Sequence, residues 1–554
     1  MNAVSPARAT PTTEPPRFPG GLPWIGQMLE FGRNPYRFVS KVATTTGEIA
    51  CFTLFGQRIV LLTGDEASEV FYRSSDEQLD QAEAYRLMTP IFGQGVVFDA
   101  PIERKNEQLR MIMPSLRLEA MREHSQKIVG EVEDIIREWG ENGEIQLVDF
   151  MKRLTINTAS HCLLGREFRY ELNDEFAGIY HDLEQAVSPI AYHFPYLPIA
   201  KFRRRDRARR RLQTLVEEIV RKRESQAVKP GDMFQQLIDM CYQDGSRLTH
   251  NEITGMLISS IFAGHHTSSG TASWVLLELL KNPAIMRQTI AELDELLGDD
   301  GAVTFQALRD MPLLENVLKE VLRLHPPLII LMRKVSQDLR FKNYTIKAGD
   351  MVWASPPVTH RLSRLFSNPG SFDPDRFSAE RREDKNLMAY QPFGGGKHKC
   401  SGNAFATFQI KAIFAVLLRR YEFELAAPAE SYVDDYTQMI VQPQSPCIVR
   451  YRRRETRRMG ERRAGVESAA EVKCPAQAVS VAAEGTNAGR LRIVVDRLLC
   501  QGHAQCTGEA PDHFRILANG DMELRKSEVT EMERGRVEQA VRFCPNQALK
   551  LVRH

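Results

Sequence analysis

The stretch Phe393–Leu418, FGGGKHKCSGNAFATFQIKAIFAVLL, sets a single cysteine, Cys400, between a glycine-rich loop and an apolar run with helical period. A helix that starts just after Cys400 offers unpaired amides and a positive dipole end to the sulfur, which favours the thiolate. Gly394, Gly395, Gly396 and Gly402 let the backbone pass close to a flat ligand, where a Cβ would collide. Taken alone, a cysteine beside a glycine turn is more simply a buried structural thiol. Other parts of the chain decide between the two readings.

The chain has 554 residues, several times the ~150 of an ordinary domain, so a large core and a second unit are expected. Its 73 Lys+Arg against 71 Asp+Glu leave a net charge of +2, which gives no ground for a nucleic-acid partner. Nine scattered cysteines suit a reducing cytoplasm with a few thiolates used as ligands better than a disulfide framework. The opening MNAVSPARATPTTEPPRFPGG has no apolar core and reads as a disordered leader to about residue 18, not as a signal or anchor. The longest apolar run, Ile253–Gly264, falls short of the ~20 residues that cross a bilayer. A cytoplasmic protein without a transmembrane anchor is expected.

Helical periodicity dominates from about residue 115 to 335, while β-like runs such as IACFTLFGQRIVLLTG lie nearer the start. The expected fold class is mainly α with a minor β-sheet, followed by a small α+β unit. The boundaries read as 1–450 for the large domain, 451–488 for a small, polar linker and 489–554 for the tail. In the tail, RLRIVVD and QALKLV read as strands and SEVTEMERGRVEQAVRFC as a helix.

Phe393, Gly394, Gly396, His398, Cys400 and Gly402 resemble the haem-binding loop of the cytochrome P450 family. LKEVLRLHPP, with Glu320 and Arg323 three apart on one helix face, and FDPDRF, with Arg376, resemble the same family's structural Glu/Arg/Arg cluster. Read without the loop, these would be surface ion pairs of little worth. The resemblance implies the cytochrome P450 fold, haem b ligated by Cys400, O2 as co-substrate and monooxygenase activity.

LTHNEITGMLISSIFAGHHTSSGTASWVLLELLKNP begins with a capping box, Thr249 with Glu252, and predicts one long helix ending at Pro283. At its centre stand Ala263, Gly264, His265, His266 and Thr267, where the family places a small pair, an acid and a threonine. The acid is replaced by His266, as in the sterol 14-alpha demethylase branch, and the resemblance makes Thr267 and His266 the catalytic proton-handling pair. Two histidines satisfied inside a helix bundle are the plainer alternative. YRLMTPIFGQGVVFDAP, from Tyr85, resembles that branch's substrate-recognition segment. By this resemblance Leu87, Met88, Phe92 and Val96 line a sterol cavity with Phe262, Ala263, Leu328 and Ile330. Tyr85, Arg333, His398 and, from a looser match, Arg104 and Lys105 hold the haem propionates. Leu87 points to C4-dimethylated, lanosterol-type sterols. The implied reaction is three O2-dependent oxidations of the 14-methyl group with loss of formate.

CQGHAQC, Cys500–Cys506, with the later Cys544-Pro545, resembles the cysteine pattern of small bacterial ferredoxins. His503 occupies the second ligand slot, so Cys500, Cys506 and Cys544 suit a 3Fe-4S cluster. A 4Fe-4S cluster with His503 as fourth ligand and a zinc site remain alternatives. Such a tail implies electron delivery within the chain, with NAD(P)H acting through a separate ferredoxin reductase. Lys397, Lys399, Arg419 and Arg420 are expected to dock against Glu509, Asp512, Asp521 and Glu523. AYHFPYLPIAKFRRRDRARRRL suggests peripheral membrane contact. Another triterpene hydroxylase and a non-catalytic sterol-binding redox sensor are the competing functions.

Overall fold

The computed structural model describes residues 13–298, 301–454, 491–495, 500, 505–517, 522–544 and 548–553. The body is built on the helix His250–Lys281, 32 residues long, whose start carries the expected Thr249/Glu252 capping box. Around it pack Leu147–Ala159, Ala200–Glu224, Pro312–Leu324 and Asn403–Arg420. Their apolar faces merge into one large core. Helices outweigh strands, as periodicity predicts.

The minor sheet has five strands, in the order Ile49–Leu54, Gln57–Leu62, Met351–Ala354, Leu331–Val335 and Leu79–Asp80. The first two form a hairpin whose turn residues, Phe55 and Gly56, both have positive φ, the twist-compatible turn for antiparallel strands. Gln57–Leu62 then pairs parallel with Met351–Ala354, with most of the helical body between them in the chain. That closure sets Leu331–Val335, which carries Arg333, antiparallel beside Met351–Ala354.

Two boundaries move. The expected leader is tied down from Thr13, whose amide donates to Asn343 O at 2.8 Å, and Phe18 is buried edge-on against Phe38. An extended segment can complete an exposed strand edge while its aromatic side chain enters the core, so proline content did not mean disorder there. The strand Ile448–Arg453 runs past the expected linker start at 451, pairing Arg453 with Tyr421. The remainder of the linker, residues 455–490, lies outside the described residues.

The tail has its own core, in which Ile493, Phe514, Val537 and Leu549 pack with Cys506. Its sheet pairs Leu491–Val495 with Leu549–Arg553 and with Glu528–Val529. The tail helix therefore begins later than expected, at Glu531, behind a Thr530/Glu533 capping box. A hairpin, Phe514–Ile516 with Met522–Leu524, is an addition.

Candidate active site

The cysteine loop is folded by its own backbone: the Cys400 amide donates to Phe393 O at 2.9 Å and that of Lys399 to Gly396 O at 3.2 Å. Gly394 and Gly396 sit at φ 71° and 62°, the left-handed region that glycine tolerates. A Cβ on Gly396 would run into the Tyr72 backbone carbonyl. The close approach at Gly396 is thus to the protein's own backbone, at Tyr72 on the helix Asp65–Arg73. The helix after the loop starts at Asn403. Cys400 is exposed on the loop, and the Gly402 amide and the Lys399 ammonium beside it favour the thiolate; a metal cation at the sulfur would complete its ionisation.

Beside the loop lies a basic cluster. The buried Asp76 carboxylate takes Lys397 Nζ at 2.8 Å, a very short contact from His398 Nε2, and Lys105 Nζ at 3.8 Å. Burial raises its pKa, but the bonds from His398 and Lys397 and the Lys105 charge hold it well below the carboxylate range. Gln81, with its amide oriented to satisfy both neighbours, accepts from Arg333 at 2.9 Å and donates to His398 Nδ1 at 3.2 Å. Arg333 itself is buried, over the Phe71 ring. Three cations against one carboxylate leave an excess of positive charge that two haem propionates would balance. Tyr85 joins this edge, its hydroxyl accepting from Met332 N at 3.4 Å. Arg104 does not: its guanidinium lies over the Tyr242 ring and pairs with Asp244 at 3.1 Å. Neighbours on a helix point about 100° apart, so Lys105 turning inward sends Arg104 out.

The long helix is buried along Ile253–Ile258 and Ser268–Leu279 but open between, with Ala263 exposed and Phe262, His266 and Thr267 half-buried. An opening in the middle of a core helix is room for a ligand. Thr267 donates its hydroxyl proton to Ala263 O at 2.7 Å, leaving its oxygen to accept. The two histidines divide. His265 is buried with Nδ1 on Thr155 Oγ1 at 3.0 Å, and burial together with the His266 charge drives its pKa well below the usual imidazole value. His266 Nε2 makes a very short contact with Glu184, on the helix Asn173–Gln185. So His265 has the structural role and His266 faces a carboxylate.

Of the expected cavity residues, Phe92 and Val96 are buried against the long helix: Phe92 meets Phe262 edge-on at 5.9 Å, and a Cβ on Gly255 would strike the Phe92 carbonyl. Leu328 is exposed, Ile330 is partly buried against the aromatic cluster around Trp353, and Met88 packs on the core. Leu87 is fully buried under Ala186, Ala191 and Phe202. Behind the loop, Glu320, Arg323 and Arg376 are all fully buried and joined, Arg323 Nε to Glu320 at 2.7 Å and Arg376 Nε at 2.9 Å.

At the tail, Cys506 is buried, Cys500 and Cys544 partly so. Burial, and then the charges of Cys544 and Cys500, push the Cys506 thiol up to about 12. Three thiols gathered at one small core, the buried one held neutral by its surroundings, fit a polycationic iron–sulfur group, which would bind them as thiolates. His503 and Asp521 lie outside the described residues. The expected docking set is largely engaged elsewhere: Lys397 with Asp76, Arg419 with Gly298 O and Arg420 with Glu133. The joining pair is Arg309 with Glu509 at 2.9 Å. Lys399 lies near both Cys400 and Cys544; burial lowers its ammonium pKa to about 8 while those sulfurs oppose the shift.

Asp76, Gln81, Glu184, Thr155 and Arg309 escaped the sequence reading. Asp76 is 322 positions from His398, and no local signal marks such a partner.

Residues 15–451 match the cytochrome P450 family, and residues 493–551 match a 4Fe-4S single cluster domain. The sterol 14alpha-demethylase of Mycolicibacterium vanbaalenii is 49% identical over 450 residues, 80% of this chain and 99% of the relative. The lanosterol 14-alpha demethylase of Bos taurus is 37% identical over 454 residues, 81% and 90% of the two chains. Among solved structures, cyanobacterial CYP120A1 with retinoic acid bound superposes with a TM-score of 0.72 at 24% identity, over 80% of this chain and 100% of that one. The buried Glu/Arg/Arg cluster, the cysteine loop and these matches agree: the chain belongs to the cytochrome P450 family, whose haem-thiolate fold it joins to a ferredoxin-type iron–sulfur domain.

Proposed function

We propose that the chain is a sterol 14-alpha demethylase that oxidises the 14-methyl group of lanosterol-type sterols in three O2-dependent steps with loss of formate, on electrons from its own iron–sulfur domain. The carrying observation is His266, held against Glu184 one residue before Thr267 on the opened stretch of the long helix. Relatives at 49% identity over four-fifths of the chain bear that activity's name, which supports the substrate class.

Cys400 would hold the iron, with Lys105, Arg333, His398 and Tyr85 at the propionate edge. Haem bound there supplies O2 binding and reductive activation, helped by the thiolate's electron push. The chain's own groups do the rest. Thr267 presents its hydroxyl oxygen beside Ala263, and His266 with Glu184 holds a proton at Nε2, so protons reach the opened face without bulk water. Phe92, Val96, Phe262 and Leu328 supply the apolar wall a sterol needs.

Electrons would enter through the tail, where Cys500, Cys506 and Cys544 hold a 3Fe-4S cluster, reduced by NAD(P)H through a separate reductase. The Arg309–Glu509 pair and the position of Lys399 between Cys544 and Cys400 support docking of the tail on the cysteine-loop side. A tether makes that encounter intramolecular, at effective concentrations in the ~mM range. No helix among the described residues is long and apolar enough to cross a membrane. Exposed Phe194, Tyr196 and Leu197 precede exposed Arg203, Arg204 and Arg207, which supports peripheral contact with the surface where sterols reside. Arg205 and Arg209 of the same run turn inward, to Pro195 O and Phe92 O. Free thiols suit a cytoplasmic setting.

The test supplies lanosterol, a ferredoxin reductase and nicotinamide cofactor to the full chain and seeks the 14-demethylated diene and formate by mass spectrometry. A Cys506→Ser chain should lose nicotinamide-driven turnover yet keep a haem that dithionite reduces. A hydroxylated product without formate would make the chain a different triterpene hydroxylase. Sterol binding without any product would make it a sensor.

A further inference from the structure

Two imidazoles and one carboxylate converge above the opened stretch of the long helix: ligand atoms of Glu184, His265 and His266 all lie within 4.8 Å of one another. The tautomer of His265 follows from its neighbour. Thr155 Oγ1 donates its only proton to Met151 O at 2.8 Å, so at its 3.0 Å contact with His265 Nδ1 it accepts, and Nδ1 carries the hydrogen. Nε2 of His265 is then a lone pair, and it faces Glu184 Oε1 at 4.0 Å. The same Glu184 oxygen takes His266 Nε2, so a cation held among the three would displace the His266 proton and use the His265 lone pair.

We propose that Glu184, His265 and His266 form a binding site for a divalent transition-metal ion of the zinc class. Two neutral imidazoles and one carboxylate make up a known zinc donor set, with metal–ligand distances of about 2.0–2.2 Å. Glu184 Oε1 lies 4.0 Å from His265 Nε2 and in very short contact with His266, and all ligand atoms lie within 4.8 Å of one another, so the ~3.4 Å separations of a tetrahedral shell are reached by shifts of about 1 Å in the two imidazoles and in Glu184. Thr155 is the outer partner that fixes ring orientation and tautomer, as outer partners of metal-bound histidines do. Calcium and magnesium, which prefer oxygen donors, are poor fits.

The consequence rests on the proposed role of His266. A metal on Glu184 and His266 takes both groups out of proton transfer, so zinc would inhibit sterol turnover reversibly, without entering the haem or cluster chemistry.

The experiment titrates zinc into the full holoprotein against a fluorescent zinc chelator, for the wild type, Glu184→Gln, His265→Gln and Thr155→Val. One zinc per chain is expected in the wild type, weakened at least about tenfold by each ligand change and about tenfold by Thr155→Val, which leaves every ligand in place. Affinity and stoichiometry unchanged across all three variants would overturn the site. In parallel, turnover is followed with zinc present: binding that is lost in the variants yet leaves wild-type turnover untouched keeps the site and removes the proton path instead.

Discussion

Two carboxylates, each approached by two bases from neighbouring elements, end in opposite states. Glu320 accepts from Arg323 Nε and Nη2, from Arg376 Nε and from the Asp373 amide, and the whole group is dry. Glu184 has one imidazole against it and borders the open part of the long helix. A carboxylate whose oxygens are all committed to buried donors is held in one arrangement, so it locks structure. One with spare capacity beside an opening can accept a further donor. Saturation, more than the identity of the residues, separates a brace from a chemical group.

Removing a centre from each cluster should break the comparison most sharply. Glu320→Ala leaves two guanidinium groups buried without a counter-charge, an expected loss of about 3–5 kcal/mol, read as a collapse of thermal stability and haem retention. Glu184→Gln should instead leave the unfolding midpoint within about 1 kcal/mol and lower sterol turnover about a hundredfold. If the two variants lost stability equally, the distinction would be gone.

A pH series sharpens the dry side. His360 Nε2 accepts the Gln391 amide at 3.0 Å while its carbonyl accepts from Arg323. Burial, helped by Arg323 and Arg361, lowers its pKa to about 3. A histidine whose folded pKa lies below its unfolded value of ~6.5 keeps full stability above that value. As pH falls from ~6.5 toward 3, the unfolded chain binds a proton that the native state refuses, at a cost of up to about 1.4 kcal/mol per pH unit. Denaturant midpoints should therefore fall over that window, and His360→Gln, which keeps an acceptor, should flatten the slope.

The smallest effect is expected at the junction of the domains. Arg309 and Glu509 are partly exposed, and such pairs contribute about 1 kcal/mol or less. Arg309→Ala should slow haem reduction by the tail a few-fold at low salt, with the difference vanishing at high salt; stopped-flow reduction at two ionic strengths measures it.

What could be read in advance follows the range of the forces involved. The cysteine loop, the capping box at Thr249, the Glu320/Arg323 spacing and the histidine before Thr267 were legible because helical period and turn chemistry act over three or four residues. The inward choice of Lys105 over Arg104 was not, since it depends on Asp76 arriving from a turn earlier in the chain. Of the expected docking charges, Glu509 and Lys399 do lie at the junction, while Lys397, Arg419 and Arg420 have partners within the large domain that no local spacing announces.

By itself, the sequence determined the kinds of groups present: a cysteine in a glycine loop, a histidine and a threonine on the long helix, an acid with two arginines, and three cysteines in a tail. The tertiary structure decided which carboxylate is saturated and which is not, that Asp76 gathers the cations beside the loop, and that Glu184 faces His266. Those outcomes hang on contacts between residues up to hundreds of positions apart, where burial and exact approach set the electrostatics and no local spacing carries the information.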